Sequence, residues 1–185
     1  MTIVDSHTAG GIASALRRLY FVRFAFAVVW AVLLFTTKTD LGPLATILVV
    51  LYPLFDVGAA VVDARSSGAA GPARGLYVNI AISLLAAVGL AIASASGLPA
   101  VLRVWGAWAI VAGLIQLIVA VSRRKMGGQW PMILSGGLSV LAGGWFIASA
   151  SASNPELTTV GGYAVLGGIF FLVSAIRLGR ATKGN

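Results

Sequence analysis

Six apolar stretches, each close to the length of a membrane crossing, occupy most of this chain, at about 21–36, 44–62, 75–95, 100–121, 130–150 and 157–177. About 20 apolar residues in helical conformation span the hydrocarbon core of a bilayer. Between the stretches lie Lys38 to Pro43, Asp63 to Arg74, Ser96 to Pro99, Ser122 to Gln129 and Ser151 to Glu156, breaks marked by charges and by Gly, Pro and Ser. A bilayer admits only helices or closed barrels, and these stretches lack the strict alternation of a barrel strand. The expected fold is therefore all-α: six transmembrane helices in a single membrane domain over 1–185, with 1–20 as an N-terminal segment on the cytoplasmic side. Only 10% of the 185 residues are charged and 59% are hydrophobic, whereas a soluble domain needs about 25% charged residues for its coat. Six crossings leave no room for an extramembrane domain, so any activity sits within the bilayer or is carried by a partner.

The basic residues orient the chain. Arg17, Arg18, Arg23, Arg65, Arg74, Arg123, Arg124, Lys125, Arg177, Arg180 and Lys183 fall on one side of the expected topology, and only Lys38 and Arg103 on the other. Lys and Arg concentrate on the cytoplasmic side, so both termini are expected there. The net charge of +8 is then a topogenic rim facing anionic lipid headgroups, and no compact basic domain exists to bind nucleic acid. Arg17, Arg18 and Arg23 ahead of an apolar run also suit a signal peptide. Asp5, the absence of earlier basic residues and the Thr36-Thr37-Lys38 ending point instead to a retained first helix.

The chain repeats itself. Ile92-Ala93-Ser94-Ala95-Ser96 recurs as Ile147-Ala148-Ser149-Ala150-Ser151, and the same offset of 55 pairs Gly89 with Gly144, Trp108 with Tyr163, Gly113 with Gly168 and Ala120 with Ala175. An offset of 56 pairs Tyr52 with Trp108, Ala64 with Ala120 and Pro43 with Pro99. The sequence thus reads as three tandem helical hairpins, at about 21–65, 72–124 and 128–180. Each copy contains two crossings, so the repeat is parallel, and three such hairpins close most naturally around an axis along the membrane normal. Small residues at four-residue spacing mark expected helix contacts: Ser83, Ala87 and Ala91; Ala109 and Gly113; Ser135, Ser139 and Gly143; Ala164 and Gly168.

Few residues can carry chemistry. Asp56 lies inside the second apolar stretch, where an ionisable group needs a partner or a function. It is either one half of an ion pair with Arg23 or a protonated, hydrogen-bonded acid, or else a proton or cation site of raised pKa. Pro53 just before it removes a backbone donor and is expected to kink the helix. Asn79 and Gln116 are expected to hydrogen-bond between helices, Gln116 within reach of Asp56 if the repeats superpose. Arg103 is expected to reach the interface beside Trp105 and to meet lipid headgroups. Trp30, Trp105, Trp108, Trp130 and Trp145, with Tyr20 and Tyr77, suit an aromatic belt at the membrane surfaces. There is no cysteine, His7 is the only histidine, and no phosphate loop, HExxH helix or nucleophile elbow occurs. No catalytic, metal or cofactor-binding set is expected, and the sequence does not read as an enzyme. Asp56, Asn79 and Gln116 alone would not line an aqueous pore.

The stretch from Gln129-Trp130-Pro131 through Ser135-Gly136-Gly137-Leu138-Ser139-Val140-Leu141-Ala142-Gly143, with Gly161-Gly162-Tyr163, Gly167-Gly168-Ile169 and Ser174-Ala175-Ile176-Arg177-Leu178, resembles the HdeD-like membrane proteins. That family is built from repeated helix pairs and named for an acid-resistance protein of enteric bacteria. The resemblance implies a multi-pass protein of the bacterial inner membrane linked to acid or envelope stress, and the lack of reactive groups favours action by association with a lipid or another membrane protein. It brings no reactive residues. Two other functions fit the sequence: a small proton- or cation-linked transporter or channel using Asp56, and an accessory or scaffold subunit of a membrane complex. The topology itself is testable. Reporter fusions at residue 185 and in the loop between Asp63 and Arg74 are expected to report the cytoplasm, and an outside signal at either would overturn the orientation.

Overall fold

The computed structural model describes residues 3–37, 41–67 and 73–181. These form α1 (Ile3–Thr36), α2 (Pro43–Ser67), α3 (Ala73–Ser94), α4 (Leu98–Ser122), α5 (Trp130–Ser149) and α6 (Thr158–Ala181), with a 3-10 turn at Arg124–Met126 ahead of α5. Each of the six helices contains a span long and apolar enough to cross a bilayer. The chain is a multi-pass, all-helical membrane protein. Lys38 and Lys183 lie outside the described residues, as does the side chain of His7.

Only about a third of each span is buried, between 33% and 39%. Leu85, Ile92, Ile118 and Leu141 point outward although they are as apolar as anything inside, because in lipid the outer face needs no polar coat. What distinguishes the inner face is size and polarity. Gly106 and Gly113 on α4 meet Gly143 and Gly136 on α5, and a Cβ on Gly106 would stand 2.5 Å from the Gly143 carbonyl oxygen. Gly168 of α6 packs on Ala27 of α1 less closely, where an added Cβ would stand 3.1 Å from the Ala27 Cβ. The expected ladders at Gly113, Ser135–Ser139–Gly143 and Gly168 thus fall at real contacts. In the ladder on α3, Ser83 and Ala87 are buried but Ala91 is exposed.

The helices form a ring in which each packs on its neighbours in sequence and α1 closes against α6. The packing alternates: α2 with α3, α4 with α5 and α6 with α1 are close, whereas the two helices within each hairpin touch less, α5 and α6 least of all. A threefold period of this kind is what three parallel hairpins would give.

The first helix begins well ahead of residue 21: α1 starts at Ile3, and its stretch apolar enough to cross a bilayer reaches back to Gly11. Leu16, Leu19 and Tyr20 are buried, with Leu16 and Tyr20 packed beside Ala175 and Leu178 of α6, while Arg17 and Arg18 turn outward. Two arginines can sit on a helix whose other face is buried. The expected aromatic belt is only partly present. Trp130, Trp145 and Tyr77 are exposed, but Trp30, Trp105, Trp108 and Tyr20 are buried, because they line or close the bundle interior.

The glycine contacts make a specific stability forecast. A Cβ on Gly143 would lie 2.5 Å from the Gly106 carbonyl oxygen, whereas one on Gly144 would meet nothing within 4 Å. Gly143→Val is expected to lower stability in detergent by about 1–3 kcal/mol, the usual cost of overpacking, and Gly144→Val to leave it near wild type. Equal melting temperatures for the two variants would refute the close contact.

Candidate functional site

A cavity of about 110 Å³ lies on the bundle axis and takes lining residues from all six helices, which is room for several water molecules. Its lining follows the internal repeat. On the first helix of each hairpin, Tyr20, Leu76 and Met132 recur at intervals of 56, as do Arg23, Asn79 and Ser135. On the second helices, the sets Tyr52, Trp108 and Tyr163, then Asp56, Ala112 and Gly167, then Ala60, Gln116 and Phe171 recur at intervals of 56 and 55. The hairpins thus contribute equivalent positions to each layer, and the charges fall where the copies differ.

Asp56 is the centre of the inner layer. Arg23 Nη1 on α1 donates to Asp56 Oδ1 at 2.7 Å, and Oδ2 accepts from Asn79 Nδ2 at 2.5 Å and from Ser83 Oγ at 2.9 Å, both on α3. Ser83 Oγ in turn accepts from Trp108 Nε1 of α4 at 3.0 Å. All three partners of Asp56 thus meet it as an acceptor. The Arg23 guanidinium also stands over the Phe171 ring of α6, 5.0 Å from its centroid. This one network therefore ties together α1, α2, α3, α4 and α6. The ion pair with Arg23 and the interhelical role of Asn79 are where the sequence put them.

Gln116 makes the interhelical hydrogen bond expected of it, though not to Asp56: it lines the same cavity, and its Nε2 donates to the Met132 carbonyl of α5 at 3.1 Å. Arg103 is exposed near the start of α4 and away from the cavity lining. Its neighbour in sequence, Trp105, is fully buried.

A second ion pair was not foreseen. Asp63 sits on α2 seven residues after Asp56, two turns or about 10 Å nearer the arginine-rich end of the bundle. It receives Arg123 Nη1 at 2.8 Å and Nη2 at 2.7 Å, a fork-to-fork pair. Both residues are buried, at 6% and 5% exposure. Burial works against the charged guanidinium of Arg123, but the hydrogen bond and charge of Asp63 outweigh it and hold its pKa above the ordinary arginine value. Tyr20 and Gln129 stand beside this pair, with Tyr20 Oη donating to Gln129 Oε1 at 3.5 Å. Arg123 reads in sequence as one more cation of a basic rim. The available signal was Asp56 and Asp63 spaced seven apart, on one face of one helix.

The opposite end of the cavity is closed by rings. Tyr52 lies within 4.7–6.0 Å of Phe26, Trp30, Trp105 and Trp108, and Phe26 stacks on Phe55 at 3.7 Å. Trp30 Nε1 donates to the Leu48 carbonyl at 2.7 Å in the turn ahead of Pro53, which is itself buried within a continuous α2. Trp105 Nε1 is buried with no hydrogen-bond partner among the described residues. On the α5–α6 side, Tyr163 Oη donates to Ser139 Oγ at 2.8 Å. The polar lining is thus richer than Asp56, Asn79 and Gln116: Tyr20, Gln129, Ser135, Ser139, Tyr163 and the second ion pair belong to it. Most of these are Ser and Tyr residues that in sequence look like helix-packing or interface positions.

The class of protein defined by this arrangement is a multi-pass helical membrane protein with a polar cavity on its axis. Compared with known proteins, the chain matches no family model, no curated protein and no solved structure.

The second ion pair can be tested alone. Arg123→Met strands a buried carboxylate and is expected to cost about 3–5 kcal/mol, whereas Asp63→Leu combined with Arg123→Met removes both charges and should recover most of that loss. Chemical unfolding in mild detergent reads both variants. A double variant as unstable as the single one would show that the pair is not what holds this end together.

Proposed function

We propose that this is a non-enzymatic protein of the bacterial inner membrane, HdeD-like, with both termini in the cytoplasm. In this reading it acts under acid or envelope stress by associating with a lipid or another membrane protein and not by conducting ions. The resemblance of the α5–α6 sequence supports the family and the setting, and the arginine-rich end supports the orientation. The single observation that carries the choice of binding over conduction is the state of the cavity's charges. Asp56 and Asp63 are each paired with an arginine at 2.7 Å, so neither carboxylate offers an unshared charge to a passing cation. The Asp56 side chain is further held by Asn79 and Ser83, so its oxygens are already engaged within the bundle. Trp30, Trp105 and Trp108 fill the axis beyond it, where a conducting path would need polar groups or water.

Proton flux in liposomes decides between this reading and a transporter that uses Asp56. Purified wild-type protein is expected to give the flux of empty liposomes under an imposed pH gradient, and Asp56→Asn to change nothing. Flux above background that disappears in Asp56→Asn would establish the transporter instead.

A further inference from the structure

The cavity is capped along its axis in both directions. Toward the arginine-rich end stand Asp63, Arg123 and Gln129, all buried, and toward the other end the cluster of Trp30, Tyr52, Trp105 and Trp108. The remaining way in is between helices, and α5 and α6 are the neighbours that pack least closely. A groove runs along the outside of that seam, floored by Leu138, Leu141, Ala142 and Trp145 of α5 and by Leu166 and Phe170 of α6. Ser135, Ser139, Tyr163 and Gly167 line both this groove and the central cavity. The two spaces are thus separated by one layer of side chains, in which Tyr163 is hydrogen-bonded to Ser139. Gly167 leaves its place in that layer empty, since a Cβ built there would meet nothing within 4 Å.

We infer that the α5–α6 seam is a lateral portal through which a single-chain lipid with an uncharged, hydroxylated head binds, its head in the axial cavity and its chain in the outer groove. The chain follows from the setting. The groove opens on the membrane-spanning face, where the surrounding solvent is acyl chain, and from Ser135 to Trp145 it extends about 15 Å along the helix axis, half of a hydrocarbon core of roughly 30 Å. The groove is centred on the middle of α5 (Trp130–Ser149), so a single chain of that length lies across the centre of the hydrocarbon core. The head follows from the cavity's chemistry. Each buried charge already has its counter-charge at 2.7 Å, so a charged head would enter without a partner of its own at the full cost of desolvation. The groups nearest the portal are instead hydroxyls and an amide: Ser135, Ser139, Tyr163 and Gln116. These both give and accept hydrogen bonds, as the free hydroxyls of a monoacylglycerol do. Binding exchanges the Tyr163–Ser139 hydrogen bond for bonds to the head and forms no covalent bond.

The inference rests on the reading of the protein as a binder and not a conductor, and its test is independent of flux. Full-length protein in nanodiscs is irradiated with a monoacylglycerol carrying a diazirine in its acyl chain, and the labelled peptides are mapped by mass spectrometry. Label is expected to concentrate on residues 135–145 and 163–170. Gly167→Phe, which fills the gap at the portal, is expected to lower it about tenfold, while Gly144→Phe, on the exposed side of α5 outside the groove, leaves it unchanged. Gly167→Leu is a smaller filler expected to act in the same direction should the phenylalanine variant not fold. Unlabelled monoacylglycerol should compete, and a fatty acid of the same chain length should not. Label spread evenly over the six helices, insensitivity to both Gly167 variants, or equal competition by the fatty acid would each overturn the proposal. Labelling at the seam in a protein that conducts protons would refute the binding-only reading and leave the portal standing, whereas no flux and no label at the seam would refute the portal alone.

Discussion

A charge inside a bilayer has to bring its counter-charge with it, and the interior of this bundle is organised around that requirement. Both buried carboxylates, Asp56 and Asp63, come from one face of α2, and their arginines come from different helical surroundings: Arg23 from α1 and Arg123 from the end of α4. In a low-dielectric interior an unpaired member of either set is far more costly than the pair is favourable. The pairs therefore act more as constraints on arrangement than as sources of stability. They fix the register of α1 against α2 and of α2 against the α4–α5 connection, at two depths about 10 Å apart. Asn79, Ser83 and Trp108 extend the inner constraint to α3 and α4.

Packing satisfies what the charges leave open. Where α4 meets α5, two pairs of glycines bring the backbones together, and dispersion between closely fitted surfaces does there what the hydrophobic effect does in water. Around Tyr52 the opposite solution is used, with large rings filling space that small residues would leave empty. The polar cavity lies between these rings and the outer ion pair. It is bordered on the α5–α6 side by the least compact helix pair of the ring, so rigidity and access are allotted to different sectors of one small bundle.

Much of the fold was legible because the bilayer simplifies it. Helix number, most boundaries and the repeat follow from apolar run length and from offsets of 55 and 56. The start of α1 was not, because Arg17 and Arg18 look like the end of a membrane span when the face opposite them, Leu16 and Tyr20, is buried. At the site, Asp56 stands out as an acid in an apolar run, and Arg23 as its nearest cation. Arg123 does not, because it lies in a cluster with Arg124 and Lys125 that serves equally as a topological signal. Trp30, Trp105 and Trp108 were assigned to the membrane surface because an apolar helix gives no moment to show which side faces inward. For Trp108 the repeat carries that information: Tyr52, Trp108 and Tyr163 occupy the same place in three hairpins, and the axis is the one place where such equivalent residues all meet.

The alternation of close and loose helix contacts has a consequence for how such a molecule is put together. The tight interfaces join the second helix of one hairpin to the first helix of the next, and the last hairpin to the first. These are the contacts that subunits of a cyclic trimer of two-helix chains would make with one another, so the molecule is in effect an assembly whose protomers have been fused. A true homotrimer would have to carry every charge three times, placing three carboxylates and three guanidinia around one axis. Fusion lifts that restriction. A single Asp56 can face a single Arg23 while the equivalent places hold Ala112, Gly167, Asn79 and Ser135, which gives a symmetric scaffold a cavity with a distinct left and right.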